Sequence, residues 1–364
     1  MTSKVSVVSF VKELQTCFGG YWRYPEVVDY YYLVNPYFPP RKLAAEFKNA
    51  FYDLLTQYPS GMRVNSSLAA KNFHVDASRI VVGNGASELI ASLMKTVRGK
   101  CGFIYPSFEE YPNRLPVRQR VPYYLEGVDY RYSASDIINF FGQRNHKVGT
   151  IAIVNPDNPS GNLIARRDML CLIEWTKAQA IRLLVDESFV DFSDKPYSLI
   201  SNKVLKDNPH LVVIKSISKS YGVPGLRLGV DASGDTELIA WMKKDVAIWN
   251  VNSFAEFYMQ IAPKYTKDFR LAYEQFRKER SRFLGRLLES RILRVIPSQA
   301  NYFLAEVLPP YTAKTFVEKM FRVGKVLIKD CSNKKALEGK DFIRITIRST
   351  HANNLFLEAP SKLK

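Results

Sequence analysis

The chain has 364 residues, of which 46% are hydrophobic and 13% aromatic, so it can bury a large core and is expected to divide into two folding units. This composition excludes a mainly disordered chain. The formal charge is +17, from 52 Lys and Arg against 35 Asp and Glu, and such a surface attracts anions. Nucleic acid is one candidate, but the sequence has no RNA-binding signature or concentrated basic arm. We favour a solvated lysine-rich surface and a small anionic substrate.

The cysteines and the N-terminus exclude further classes of protein. The four cysteines lie far apart and follow no metal-ligand spacing, so we expect reduced thiols and no metal. The N-terminus has a short apolar run without a small-residue cleavage site, and no later segment has the length of a membrane span. A cytoplasmic protein that binds neither nucleic acid nor membrane is expected.

Between about residues 40 and 270, short apolar runs alternate with helical patterns. The predicted helices are Ala86 to Lys95, Arg166 to Ala178 and Asp235 to Asp245. The predicted strands are Arg79 to Val82, Cys101 to Tyr105, Thr150 to Val154, Arg182 to Val185, Leu211 to Lys215 and Arg227 to Val230. This alternation predicts an α/β fold with a mainly parallel sheet between helices, and ligands bind at the carboxyl ends of such strands.

The pattern changes near residue 270. A long charged helix is predicted from Phe269 to Ser290, followed by strands at Leu293 to Ile296, Tyr302 to Glu306, Val326 to Ile328 and Phe342 to Ile347. We interpret residues 36–270 as a large ligand-binding domain and residues 271–364 as a smaller α+β domain. Residues 1–35 form an N-terminal arm that belongs to the smaller domain.

Polar motifs follow the predicted strands where those strands end. Residues 83–88 (GNGASE) form a Gly-rich turn before a helix, whose free N–H groups suit a phosphate; an ordinary strand-to-helix turn is the alternative. Phe108 could lie flat against a planar cofactor ring or belong to the core. In residues 155–161 (NPDNPSG), the prolines and glycine force a turn, and Asn158 is placed to bond a phenolic oxygen.

Two further motifs carry charge. Asp186 follows an apolar strand directly, where burial requires a cationic partner, although a helix cap is also possible. Residues 216–229 (SISKSYGVPGLRLG) place Lys219 between small hydroxyl residues and before Arg227, which suits an imine-forming amine and an anion clamp. Lys215 could replace Lys219 on spacing, but its neighbours place it inside the strand.

Together these motifs resemble the class I/II aminotransferase family of fold-type I pyridoxal 5'-phosphate (PLP) enzymes, from about residue 35 to 350. The resemblance implies a seven-stranded sheet in the large domain, with Lys219 holding PLP as a Schiff base and Asp186 facing the pyridine nitrogen. It also implies that Asn158 bonds the ring hydroxyl and Phe108 stacks on the ring. The cofactor phosphate would be bound by Gly85, Ala86, Ser87, Ser216 and Arg227.

The resemblance further implies a homodimer with shared active sites, because Tyr58 is similar to the tyrosine that reaches the neighbouring subunit's phosphate. Arg344 is similar to the arginine that clamps the substrate carboxylate. Arg348, Lys325, Lys329 and Gly20 are the other residues we expect to contact the substrate.

Within the family, the chain is most similar to threonine-phosphate decarboxylases and next to histidinol-phosphate aminotransferases. The decarboxylases have His where Phe18 stands, and arginines in the segment that holds Lys325 and Lys329. Lys lacks the bidentate fork of Arg, so a smaller substrate such as phosphoserine fits better than phosphothreonine. We therefore expect a phospho-amino-acid decarboxylase. The alternatives are a histidinol-phosphate-type aminotransferase and a non-catalytic basic binding protein on the same scaffold.

Overall fold

The computed structural model describes residues 7–17 and 19–362, so Phe18 lies outside the described part of the chain. Within these ranges the helices are α1 (Val7–Thr16), α2 (Arg41–Thr56), α3 (Met62–Phe73), α4 (Ala86–Met94), α5 (Glu110–Asn113), α6 (Ala134–Phe141), α7 (Arg166–Ala178), α8 (Asn202–Asp207), α9 (Ile217–Ser220), α10 (Thr236–Asp245), α11 (Ser253–Ile261), α12 (Thr266–Leu288), α13 (Ala313–Gly324) and α14 (Thr350–Glu358). The strands are β1 (Val28–Tyr30), β2 (Ile80–Asn84), β3 (Cys101–Tyr105), β4 (Arg120–Tyr124), β5 (Thr150–Val154), β6 (Arg182–Asp186), β7 (Leu211–Ser216), β8 (Leu228–Ser233), β9 (Leu293–Ile296), β10 (Tyr302–Val307), β11 (Val326–Asp330) and β12 (Phe342–Thr346).

Seven strands form the larger sheet, in the order β2-β8-β7-β6-β5-β3-β4. Strands β4, β3, β5, β6 and β7 run parallel, whereas β8 is antiparallel to both of its neighbours. Parallel neighbours need long crossovers, which helices such as α7 between β5 and β6 provide. The prediction of an α/β fold with a mainly parallel seven-stranded sheet is confirmed.

The central strands of this sheet are buried on both faces. Val212 packs in one cluster with Leu89 of α4, and the next residue, Val213, packs in the opposite cluster with Leu172 of α7. Burying a side chain of this size contributes about 1.5–3 kcal/mol. Helices on both faces explain why these strands are nearly continuous hydrophobic runs.

The smaller sheet has the order β1-β11-β12-β10-β9. Strand β1 comes from the N-terminal part of the chain and pairs in parallel with β11, whereas the other pairs are antiparallel. In this sheet Lys329 of β11 lies directly opposite Arg344 of β12. The sheet therefore brings residues from both ends of the chain to one place.

Strand β4 was not predicted, and several predicted ends differ from the observed ones. Strand β4 lies at the sheet edge and contains Pro122, which an edge tolerates but which weakens the strand pattern in the sequence. Strand β8 begins at Leu228, because Arg227 has a φ of 54° that extended backbone does not adopt. The long helix α12 begins at Thr266 and ends at Leu288, instead of spanning Phe269 to Ser290.

Gly229 of β8 allows the start of α4 to pack closely on the sheet. A Cβ atom at Gly229 would lie 2.4 Å from the backbone nitrogen of Ala86. We predict that Gly229→Ala lowers the free energy of unfolding by about 1–3 kcal/mol, because backbone would have to shift to accept the methyl group. Denaturant unfolding curves measure this. Gly225→Ala is the control, since a Cβ there meets nothing within 4 Å; equal midpoints for the two variants would contradict the prediction.

Candidate active site

The predicted site motifs converge at the carboxyl ends of the parallel strands β5, β6 and β7. Asn158 lies in the turn after β5, Asp186 is the last residue of β6, and Lys219 lies in α9 directly after β7. These strands are neighbours in the sheet, so their ends meet at one edge. This is the position at which α/β sheets bind ligands.

The Lys219 side chain lies between two aromatic rings. Its Nζ atom is 4.4 Å from the ring centre of Phe189 and 5.5 Å from that of Phe108. Burial lowers the pKa of Lys219, Asp186 raises it, and Arg344 and Arg227 lower it further. The net lowered pKa favours the uncharged amine, which is the nucleophilic form.

Lys215, the alternative to Lys219, is in a different state. It lies inside β7 and forms an ion pair with Asp191 at 2.8 Å. Burial acts against its charge, but Asp191 and neighbouring groups raise its pKa overall. Lys215 is therefore held as a cation, and the geometry favours Lys219 as the reactive amine.

Asp186 is buried and firmly held. The hydroxyl of Tyr111 donates to its Oδ2 at 3.0 Å, and the Ser188 N–H donates to its Oδ1 at 2.9 Å. Asp186, Ile214 and Asp231 lie in one row across β6, β7 and β8. Both oxygens of Asp231 are buried without a hydrogen-bond partner in the described residues, and burial raises its pKa well above the usual range. This burial favours the uncharged form of Asp231.

The predicted phosphate-binding residues form a cradle at the start of α4. Gly85 has a φ of 79°, and a Cβ there would lie 2.7 Å from a guanidinium nitrogen of Arg227. Glycine thus lets the arginine reach the first turn of the helix, whose N–H groups at Ala86 and Ser87 have no partner within the helix. Ser216 ends β7 on the same side, where its N–H donates to Ser188 Oγ at 2.9 Å. The cradle suits an anion.

Arg344 connects the smaller sheet to the turn after β5. It donates to Asn158 Oδ1 at 2.8 Å and to the backbone oxygen of Tyr31 at 2.8 Å, while its Nε is buried without a partner among the described residues. Its neighbour Lys329 donates to the Tyr31 hydroxyl at 2.8 Å. Two cations therefore lie where the smaller sheet meets the strand ends that carry Lys219 and Asn158, and this meeting place is called the cleft below.

Asp157, beside Asn158, is a buried acid in this turn. Burial raises its pKa to about 6, although hydrogen bonds from the Ser107 and Ser160 hydroxyls lower it in part. The hydroxyl of Tyr302 in the smaller sheet donates to the Asp157 backbone oxygen at 2.6 Å. The two sheets are thus joined at the position where Asn158 enters the cleft.

The remaining predicted substrate residues are not all brought together. Lys325 is exposed at the start of β11, with its Nζ 5.4 Å from the ring centre of Phe321, so the structure does not bring it to Arg344. Arg348 follows β12, where its N–H donates to Asn353 Oδ1 at 3.1 Å. Gly20 precedes the short turn that contains Tyr21, whose ring contacts that of Tyr31.

Tyr58 is also separate from the other site residues. It is 80% exposed, and its ring centre lies 4.7 Å from that of Trp249. Sequence reasoning did not assign a role to Tyr31, Tyr111, Asp231 or Lys334. The contacts of Tyr31, Tyr111 and Lys334 join segments more than 70 residues apart, and Asp231 meets the row of Asp186 only through strand pairing, so local motifs carry no signal for them.

Over the described ranges, no helix is long and apolar enough to cross a membrane, and no group of His, Cys, Asp and Glu side chains is arranged to hold a metal ion.

Known proteins resemble this chain over most of its length. The L-serine phosphate decarboxylase of Sulfurospirillum multivorans is 29% identical over 347 residues, which cover 91% of this chain and 87% of that protein. The CMP-5'-(3-aminopropyl)phosphonate synthase of Streptomyces rubellomurinus is 31% identical over 350 residues, which cover 96% of this chain and 55% of that protein. The chain therefore spans about half the length of that second relative.

Solved structures also resemble this chain. The solved structure of a decarboxylase from Sulfurospirillum multivorans matches with a TM-score of 0.82 and 25% identity, covering 98% of this chain and 99% of that one. Threonine-phosphate decarboxylases and histidinol-phosphate aminotransferases are also among the relatives. The family model of aminotransferase class I and II matches residues 36–359, and the chain belongs to that family of enzymes.

Proposed function

We propose that this enzyme uses PLP to decarboxylate a small amino acid that carries a phosphoryl group, releasing CO2 and a phosphorylated amine. The observation that carries this proposal is the pair of cations Arg344 and Lys329, which lie opposite each other in paired strands at the edge of the Lys219 cleft. A carboxylate and a phosphoryl group on one small molecule need such paired cations.

The residues present fit PLP. The start of α4 with Arg227 suits its phosphate, the buried Asp186 carboxylate suits a protonated ring nitrogen, and the ring of Phe108 lies within reach of Lys219 for stacking. The family generally uses this cofactor. When bound, PLP supplies an electron sink for the electron pair of a broken Cα bond.

The protein side chains would then select which bond breaks. Arg344 would bind the substrate carboxylate, and the orientation in which it holds that group would decide whether the bond from Cα to the carboxylate breaks and releases CO2. Burial lowers the pKa of the Lys219 amine, which favours its uncharged form and suits it to accept a proton and return one to Cα. Phe108 and Phe189 keep bulk water away from this amine.

The relatives support a phosphoryl-bearing substrate, because their names describe a serine phosphate decarboxylase and a phosphonate synthase. Transamination of a phosphorylated amine or amino acid is the second candidate. It is favoured by the segment from Asn35 to Tyr37, which resembles histidinol-phosphate aminotransferases. This segment lies beside the candidate lysine, because the backbone N–H of Asn35 donates to the Lys219 backbone oxygen at 3.0 Å.

The first prediction concerns cofactor attachment. Treating the wild-type holoenzyme with borohydride should add the mass of a pyridoxyl phosphate group at Lys219, and Lys219→Ala should abolish this adduct and lower activity by about 10²–10⁴-fold or more. Peptide mass spectrometry locates the adduct. Lys215→Met serves as the control and should keep the adduct at Lys219. Cofactor attached to another lysine in Lys219→Ala would disprove the assignment.

A second prediction concerns the reaction type. Incubation with O-phospho-L-serine should release one CO2 per amino acid consumed, without any added keto acid, because no acceptor for the amino group is needed. Manometry or a coupled CO2 assay measures the release, and O-phospho-L-threonine tests the size limit. A reaction that depends on a keto acid and releases no CO2 would instead support transamination.

We also propose that the enzyme is a homodimer with shared active sites. Exposed apolar side chains cover the end of α2 and the region around Trp249, and monomeric proteins rarely expose such patches. The exposed members are Phe51, Tyr52, Leu55, Tyr58, Ile248 and Trp249. A second copy covering this surface would bring Tyr58 to the neighbouring site.

This arrangement predicts a change of assembly on substitution. Wild-type protein should sediment as a dimer and Leu55→Asp as a monomer with weakened cofactor binding, because a carboxylate would be buried without a partner in the interface. Sedimentation velocity measures the change. Leu288→Asp, at a similarly exposed leucine that ends α12, is the control and should remain dimeric. A dimeric Leu55→Asp protein would show that another surface forms the contact.

A further inference from the structure

Lys334 is a charged residue at the edge of the candidate active site, and the mechanism proposed above gives it no role. It lies in the loop between β11 and β12, where its backbone N–H donates to the Cys331 oxygen at 2.9 Å and its own oxygen accepts the Leu337 N–H at 2.8 Å. These backbone bonds fix the loop. Its side chain is only 17% exposed, and burial lowers its pKa, with Glu109 acting in the opposite direction. A buried lysine in a fixed loop needs anionic partners.

The partner that the structure provides is weak. Lys334 Nζ lies 3.5 Å from Glu109 Oε1, and the same oxygen accepts the backbone N–H of Lys335 at 3.1 Å. A lysine ammonium has three donors, so a single long contact leaves most of its hydrogen-bonding capacity unused. Glu109 itself follows Phe108 and is 36% exposed, so it can turn towards solvent without crossing the core.

Lys334 also lies close to the residues that face the substrate. Burial raises the pKa of Cys331, and the charges of Arg344, Lys334 and Lys329 lower it in part. The pKa of Lys334 is in turn lowered by Arg344 and raised by Asp157. The geometry agrees, because Lys334 follows Lys329 by five residues and Lys329 lies opposite Arg344 in the paired strand. The partner of Lys334, Glu109, directly follows Phe108, whose ring centre is 5.5 Å from Lys219 Nζ. A substrate with one carboxylate and one doubly ionised phosphoryl group brings three negative charges to this edge.

We propose that Lys334 selects the doubly charged phosphoryl group of the substrate, and that Glu109 occupies this lysine until the substrate displaces it. The carboxylate goes to Arg344, and the phosphoryl group goes to Lys329 and Lys334. A distal group with a single negative charge competes poorly with Glu109. The ligand class is an amino acid that bears a phosphate ester or a phosphonate. The inference rests on the proposed function for this substrate class and for the contact of the carboxylate with Arg344, but not for the type of reaction.

Two ligands of similar shape test the inference in the holoenzyme at pH 8. O-phospho-L-serine carries two negative charges on its distal group, and L-serine O-sulfate carries one. Their apparent dissociation constants are measured by stopped flow from the rapid change in cofactor absorbance on binding, before turnover consumes the ligand. We expect Lys334→Met to weaken phosphoserine binding by about 10- to 100-fold, the usual effect of losing a charged hydrogen bond, and to leave sulfate-ester binding nearly unchanged.

Two further variants separate selection from a general loss of structure. Lys334→Arg should retain most of the preference for phosphate, and Glu109→Gln should strengthen binding of the sulfate ester several-fold because its competitor is removed. Lys335→Met is the matched control. Its ammonium lies over the rings of Tyr105 and Tyr124, so this substitution should leave both constants unchanged.

Equal weakening of both ligands by Lys334→Met, or the same loss in Lys335→Met, would overturn the inference, because either result indicates a general effect of positive charge. The test is independent of the reaction type. If the wild-type enzyme transaminates phosphoserine, the proposed decarboxylation fails, while the ratio of the two dissociation constants still decides the role of Lys334.

Discussion

The chemistry proposed for this enzyme depends on one lysine whose pKa is lowered in a chain of high positive charge. Lys219 is buried beside the rings of Phe108 and Phe189, and Arg344 and Arg227 also lower its pKa. Asp186 raises this pKa, but its carboxyl oxygens already accept hydrogen bonds from Tyr111 and Ser188. Lys215, four residues earlier, has Asp191 as a direct partner and remains charged. The same side-chain type is thus a structural cation in one position and a candidate nucleophile in the other.

The acid groups of the site are organised in a similar way. Asp186 keeps hydrogen-bond donors on both oxygens, whereas Asp231, in the same row of the sheet, has none within the described residues. Burial raises the pKa of Asp231 well above its usual range, and the nearby Asp186 raises it further.

Substrate contacts arise where the two sheets meet. Arg344 bonds Asn158, Tyr302 bonds Asp157, and Lys334 approaches Glu109, each joining the smaller sheet or its loops to a turn of the larger sheet. In the proposed function, the larger sheet supplies the reactive lysine and the anion cradle, and the smaller sheet supplies cations for the substrate. Changes in the smaller sheet can therefore alter which substrate binds without altering the residues that face the cofactor.

Sequence by itself determined the elements whose signals are local. The apolar runs of the central strands predicted six strands of the larger sheet, and the polar residues that end them predicted Lys219, Asp186, Asn158 and Arg227, because strand ends and glycine turns have short-range patterns. It missed the edge strand β4, where Pro122 and partial exposure weaken the pattern.

Only the tertiary structure decided which cations share the cleft. Lys325 and Lys329 have the same side chain and lie four residues apart, so the sequence does not distinguish them. Lys325 precedes β11, whereas Lys329 lies within it, and pairing with β12 brings Lys329 beside Arg344. Lys334 and Glu109 belong to distant segments that meet because the smaller sheet folds against the loops of the larger one. Long-range contacts of this kind are set by packing between elements, and no local pattern of residues encodes them.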